Sequence, residues 1–414
     1  MASSSLPLTS IPSSVLNIET VVVFGDSLSD IGSKWVTKMG RVARWTGEMV
    51  VSSTGRFSDC RNWTDFMFEA AGGTSLVSLD AENSIAKSAL HRSLSEKSEA
   101  HPASGRYFRY ANYAEGGACG HTPASLAFAL GTFEDQVNQF KSECASLPPG
   151  ALGNVLFLIW FGANDLYTAG CQACQMGGVA EQVANVQRNA LKEIVKGIAT
   201  NVRFVFMDLA RPLTSVRYKM RLKKAQTALK VAVMSHFPGP SREGYAPIPS
   251  PGYSRFGNVA GYVSHAVEHN LAAEQLKALT KQMYDIENLE VGVLTYNSCL
   301  AKATGRNGDT LVKIGSCLTE DTVRALVRGR YRLKKGAATD KAGFISAHDY
   351  DLLGSSEGRA VSITTIDEVH PSDELYRLIW LEIHKGIIAA GCAFGNLGNV
   401  VPTPVLSTLA SSYI

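Results

Sequence analysis

The chain has 414 residues, 45% of them hydrophobic and 19% charged, and 40 Lys and Arg against 37 Asp and Glu leave a net charge of +3. A chain of this length buries a sizeable core without staples, and its near-neutral charge implies no general affinity for nucleic acid. No run of about eighteen apolar residues occurs, so the sequence predicts no membrane-spanning helix.

Residues 1–18 are Ser-rich and poor in charge and read as a disordered lead. They lack the basic start and the apolar run of a secretory signal. The expected location is therefore the cytoplasm, or export by a route that uses no such signal.

Val21-Val22-Val23-Phe24 is a short buried strand of mostly β-branched residues. It runs into Gly25-Asp26-Ser27, which sets one hydroxyl at the C-terminal end of a strand, where open α/β sheets place their chemistry. Gly55-Arg56-Phe57-Ser58 opens a polar turn that reaches Trp63 and leads into an apolar helical run. Residues 78–106 are rich in Ser, Ala, Lys and Glu and read as a long surface excursion. The continuous apolar run Val155 to Phe161 predicts a central strand covered on both faces.

Val179, Val183, Val186, Ala190, Ile194 and Ile198 recur at spacings of three and four, a helix with one buried stripe. Val202 to Met207 is another strand. Residues 238–257 are rich in Pro, Gly, Ser and Tyr without a period, and read as a long loop that covers the site as a lid. Glu268 to Tyr284 is helical, with Leu271, Leu276, Leu279 and Met283 on its apolar side, and Leu289 to Tyr296 is expected as a further strand. Ser372 caps a last helix, with Asp373 and Glu374 in its first turn and Gly391 after its end. Val400 to Leu409, broken by Pro402 and Pro404, reads as a strap on the surface. Alternating strands and helices over most of the chain argue an α/β fold with a central parallel sheet and helices on both faces.

A serine hydroxyl is a poor nucleophile until other groups activate it. Asp367 and His370 stand three residues apart and fit one tight turn. His370 would take the Ser27 proton and return it to the leaving group, while Asp367 fixes the imidazole tautomer. Asn164, in Gly162-Ala163-Asn164-Asp165 directly after a strand, can donate to a developing oxyanion. So can a backbone N–H of the Gly116-Gly117 pair, with Gly116 preferred and Gly117 the alternative, together with the N–H of Ser27. Asp165 is expected to brace its turn and to leave the substrate alone. The other histidines read mostly as surface residues. Eight cysteines include one suggestive spacing, Cys171 and Cys174, but no second ligand pair accompanies it. It reads as a local disulfide or as two free thiols, and neither a metal nor a cofactor is implied.

These four blocks, Gly25-Asp26-Ser27-Leu28, the Gly116 block, Gly162-Ala163-Asn164-Asp165 and Asp367 to His370, resemble those of the GDSL or SGNH hydrolase family, in the family's order. Gly55-Arg56-Phe57-Ser58 and His370-Pro371-Ser372 with Tyr376 are similar to its plant-type and bacterial lipase-like branch. The resemblance implies a flavodoxin-like three-layer α/β/α sandwich with a hydrolase domain over 19–392, insertions at about 238–257 and 304–346, and a tail over 393–414. It implies hydrolysis of carboxylic acyl esters without a cofactor. Ser27, Asp367 and His370 would form the triad, and Ser27, Gly116 and Asn164 the oxyanion hole.

Three alternatives stay open at this point. The acyl group can pass to an acceptor other than water, the substrate can be an acetylated sugar and not a lipid, or the chain can be an inactive scaffold. Trp63, Tyr107, Phe108, Tyr110, Tyr167 and Tyr253 are candidates to line an apolar pocket, or equally to fill the core. The basic clusters Arg217 to Lys224 and Arg324 to Lys335 are candidates for peripheral contact with an anionic membrane surface, against the plainer reading of a solvated helix face.

Overall fold

The computed structural model describes residues 15–45, 54–58, 60–78, 81–95, 98–100, 102, 105–121, 131–210, 273–317, 331–333, 350–352, 370–371 and 373–397. Its strands are β1 Leu16–Asn17, β2 Thr20–Gly25, β3 Glu99–Ala100, β4 Phe108–Asn112, β5 Gly153–Trp160, β6 Ala199–Met207, β7 Thr310–Val312, β8 Tyr331–Leu333, β9 Tyr350–Leu352 and β10 Cys392–Ala393. Six of them form one sheet in the order β3-β4-β2-β5-β6-β7. All neighbours from β4 to β7 are parallel, and β3 adds an antiparallel edge. Taken by sequence, the parallel strands run 2-1-3-4-5, the flavodoxin-like order, whose ligand crevice opens where the chain reverses its winding direction. That point lies between β2 and β5.

The sheet is covered on both faces. Val22, Phe24, Phe157 and Phe206 point to one side, where they pack with Phe133, Val137 and Phe140, with Val179 and Val183, and with Val293, Tyr296 and Leu300. Val21, Val23, Leu156 and Leu158 point to the other, against Trp63, Phe66 and Met67 and against Leu375, Ile379 and Ile383 of the closing helix Asp373–Ala389. The alternation along β2 and β5 is the two-residue period of a strand buried on both faces. Each fully buried large apolar side chain contributes about 1.5–3 kcal/mol to such a core.

Several expectations need correction. Leu289 to Tyr296 is no strand: it lies inside the long helix Ala273–Asn307. Val293, Tyr296, Leu300 and Ala303 are buried along it, while Val291 and Leu294 are exposed. A short apolar run does not separate strand from helix; the spacing of three and four over several turns does.

The helical stretch from Met176 to Ile194 contains a π turn at Gln182–Gln187. Val186 is exposed, and Gln187, Arg188 and Leu191 take the inward positions. Arg188 is held there by Asp309 at 2.9 Å and lies over the Phe204 ring.

Residues 78–106 do more than cross the surface, for they supply the helix Ala81–Ala89 and the edge strand β3. At the ends of the chain, β1 pairs in parallel with β10, so the lead expected to reach residue 18 is ordered from Leu16 and the tail begins as a strand. Gly391, at φ 70°, turns the chain between the closing helix and β10 as expected of it. No helix among the described residues is long and apolar enough to cross a membrane.

Candidate active site

Ser27 stands two residues past the end of β2 and is 7% exposed. Its strand end is clamped from three directions. Gly25 pairs with Trp160 of β5. Glu115 N–H donates to the Gly25 carbonyl. On the side where β4 has already left the sheet, the Gln136 amide takes the place of a neighbouring strand, accepting from Gly25 N–H at 3.1 Å and donating to Gly25 C=O at 2.7 Å.

His370 precedes the closing helix. Its Nε2 lies 2.7 Å from Ser27 Oγ, a hydrogen bond between residues 343 apart in sequence. The start of that helix is tied to the Gly55–Trp63 turn, because Asp373 accepts from both the N–H and the Nε of Arg61, at 2.9 and 3.2 Å. That turn is itself rigid. Arg56 is fully buried and pairs through two nitrogens with Asp65, and it donates to the Ile31 and Thr54 carbonyls. Asp65 in turn completes a capping box with Asn62 at the start of the helix Trp63–Ala70. Asp367 lies outside the described residues.

The expected oxyanion donors are distributed as follows. Gly116 N–H is spent, since it donates to Asp30 Oδ2 at 2.8 Å. Asp30 also accepts from the N–H groups of Gly32, Ser33 and Lys34, and so ties the loop after the nucleophile to the Gly116 block. Gly117, at φ 85°, and Ser27 both have N–H groups with no partner among the described residues. Asn164 donates one amide hydrogen to Ala118 C=O and accepts from the Thr168 hydroxyl. That pattern fixes which way the amide points and leaves its second N–H unspent. Gly162 makes the approach possible: it holds φ 115°, and a Cβ there would fall 2.8 Å from the Tyr296 ring.

Buried carboxyls sit beneath this corner. Asp26 is fully buried; its Oδ1 accepts from Leu28 N–H, and its Oδ2 has no partner among the described residues. Burial, reinforced by the nearby charge of Asp165, pushes its pKa up to about 7. Burial likewise pushes Asp165 up to about 6. Expected to brace its own turn, the Asp165 carboxylate instead accepts from Gly120 N–H and His121 N–H and ties that turn to the segment after the Gly116 block. Tyr296 is buried beside them, its hydroxyl without a partner among the described residues, and burial raises its pKa well above the ordinary value.

Other candidates fall elsewhere. Trp63, Phe108 and Tyr110 are core residues, and Tyr107 is 60% exposed. Tyr107 lines a cleft with Glu19, Thr20 and Arg109, at the opposite end of β2 from Ser27. His91 and His384 are buried and not on the surface. Cys171 and Cys174 are free thiols, the first buried and the second exposed. Tyr253, the stretch 238–257 and the basic cluster Arg217 to Lys224 lie outside the described residues, as does all of Arg324 to Lys335 except β8. Asp30, Phe57 and Gln136 went unassigned in the sequence, although Asp30 and Phe57 lie within or beside its most informative motifs.

The fold is thus a flavodoxin-like sheet with Ser27 and His370 in contact at its switch point. The GDSL-like lipase/acylhydrolase family matches residues 21–383, and the chain belongs to that family; it is a hydrolase acting on ester bonds. Among solved structures, the chain is similar to the crystal structure of phospholipase A1 from Streptomyces albidoflavus NA297, at 10% identity and a TM-score of 0.31, over 89% of this chain and 99% of that one. No curated protein matches it.

Proposed function

We propose that this chain hydrolyses carboxylic acyl esters through an acyl-enzyme on Ser27. The observation that carries the reading is the 2.7 Å contact between Ser27 Oγ and His370 Nε2. As Ser27 Oγ attacks the ester carbonyl, its proton passes to His370 Nε2 and the carbonyl oxygen becomes an oxyanion. The N–H groups of Ser27 and Gly117 and the second amide hydrogen of Asn164 receive that charge, donors aimed at the transition state and not at the resting ester. In this reading Gly117 replaces Gly116, whose N–H is already held by Asp30. Collapse of the tetrahedral intermediate expels the alcohol, which takes the proton from His370. A water molecule then attacks the acyl-serine by the same route and frees the acid. Asp367, three residues before His370, is the proposed carboxylate that orients the imidazole.

The test is Ser27→Ala assayed on a short-chain chromogenic ester, with fluorophosphonate labelling of the parent protein. A loss on the order of 10⁴-fold or more in kcat is expected, with the thermal melt retained and the label on Ser27. Activity that survives the substitution, or a label on another residue, overturns the assignment.

A further inference from the structure

We propose that Phe57 is a positioning residue for this reaction, setting the His370 imidazole and the Gly116-Gly117 turn in fixed relation to Ser27. The inference rests on the reading of Ser27 and His370 given above and adds to it a residue outside the triad and the oxyanion hole.

The Phe57 ring is 7% exposed. Its centroid lies 5.0 Å from that of the His370 imidazole, the planes tilted by 36°. The same ring also lies against Gly116: a Cβ built there would fall 2.5 Å from the ring atoms Cε2 and Cζ. One side chain therefore touches both halves of the site, the proton acceptor and the block that supplies a backbone donor.

The hydrogen bond to Ser27 fixes the position of Nε2, and the Phe57 ring packed beside the imidazole restrains its plane. The Phe57 ring can serve as a reference because its own backbone is over-determined. Arg56, immediately before it, is locked on Asp65 and on two carbonyls. Ser58, immediately after it, donates to Arg61 C=O and accepts from Cys60 N–H. The Tyr376 hydroxyl donates to the Phe57 carbonyl at 3.5 Å, a further tie between this turn and the helix that follows His370. A side chain at 116 would push into the Phe57 ring.

Phe57→Leu keeps apolar volume and removes the plane. A misplacement of about 1 Å in a catalytic group costs about 100-fold in rate. The expectation is a kcat lower by about 10- to 100-fold with KM within about threefold, because the ring is assigned to the histidine and not to the acyl chain. Fluorophosphonate labelling of Ser27 should slow in parallel while still reaching full stoichiometry, which separates a mispositioned site from a misfolded fraction. Phe57→Met, which fills the same space with a flexible chain, makes the same discrimination should Phe57→Leu not fold. Labelling at the wild-type rate, or an activity loss matched by a lower labelling stoichiometry, overturns the proposal. Ser27→Ala run alongside separates the two ideas: if it retains activity, the reading of the site fails; if it is inactive while Phe57→Leu turns over normally, only the role of Phe57 fails.

Discussion

Replacing Asp26 with Asn should remove a pH dependence from the stability of this fold. Asp26 is fully buried directly before Ser27, and its carboxyl is pushed from 3.8 up to about 7, first by burial and then by the charge of Asp165. The sign follows from proton binding. Between pH about 4 and 7 the native state holds this proton and the unfolded chain does not, so unfolding releases it and rising pH favours the unfolded state. The stability contributed by this group is therefore complete below its unfolded pKa and is lost as pH rises through its folded pKa. A shift of roughly 3 units corresponds to roughly 4 kcal/mol as an upper figure, at 1.36 kcal/mol per unit. Asn has nearly the shape of the protonated acid and does not titrate. Urea unfolding of both proteins from pH 4 to 8.5 should show the stability of Asp26→Asn, relative to the parent, rising with pH by about 2–4 kcal/mol and levelling above about pH 7.5. The slope should not exceed about 1.4 kcal/mol per pH unit, the limit for one proton. Any constant offset between the two proteins is irrelevant. A difference that stays flat within about 0.5 kcal/mol, or that falls with pH, refutes the assignment of a native-state proton to Asp26.

Two further substitutions test the frame around the site. Gly162→Ala places a Cβ 2.8 Å from the Tyr296 ring at φ 115°; it should cost about 1–3 kcal/mol in a thermal or urea melt and lower kcat by displacing Asn164. An unchanged melt would mean that the left-handed turn is not required. His384 is 1% exposed with no partner for either ring nitrogen among the described residues, and it stacks on Trp380 at 5.0 Å. Burial lowers its pKa below 6.5, so the unfolded chain gains a proton first as pH falls, and stability from the neutral ring drains away below about pH 6.5. His384→Phe should therefore gain on the parent protein as pH drops from 7 to 5, and a gain that does not change with pH would count against a neutral buried imidazole.

Much of the site was legible in the sequence, because its groups follow strands that announce themselves. Val21 to Phe24 and Val155 to Phe161 are apolar enough to be read as buried strands, and the motifs at Ser27 and Asn164 fall directly after them. Strand β4, Phe108–Asn112, went unread because Arg109 interrupts its apolar run; there the guanidinium escapes the core by reaching the Ala151 carbonyl and Glu99. Leu289 to Tyr296 misled because its period emerges only over a longer helix. The preference for Gly116 over Gly117 could not be settled by spacing at all. It depends on where Asp30 places its carboxylate, a contact between residues 86 apart. Arg56 is charged and lies in a turn rich in Gly and Ser, the composition of an exposed segment, yet it is wholly buried; Asp65, nine residues on, together with the Ile31 and Thr54 carbonyls, makes that burial tolerable.

Gln136 gives the nucleophile corner a mechanical link to another layer of the molecule. Because a helix side chain stands in for β4 at the last residue of β2, strand β4 is free to leave the sheet after Asn112 and carry its chain across the strand end as the Gly116-Gly117 block. One amide borne by the helix Phe133–Cys144 thus shares in holding the corner with Trp160 of β5 and Glu115 N–H. That helix packs through Phe140 on Phe24, one turn of sheet below Ser27. A shift of the helix along its axis would reach the nucleophile by two routes at once, through the aromatic contact and through the paired hydrogen bonds. The serine is thus held both by its own loop, through Asp30, and by a brace anchored in the layer behind the sheet.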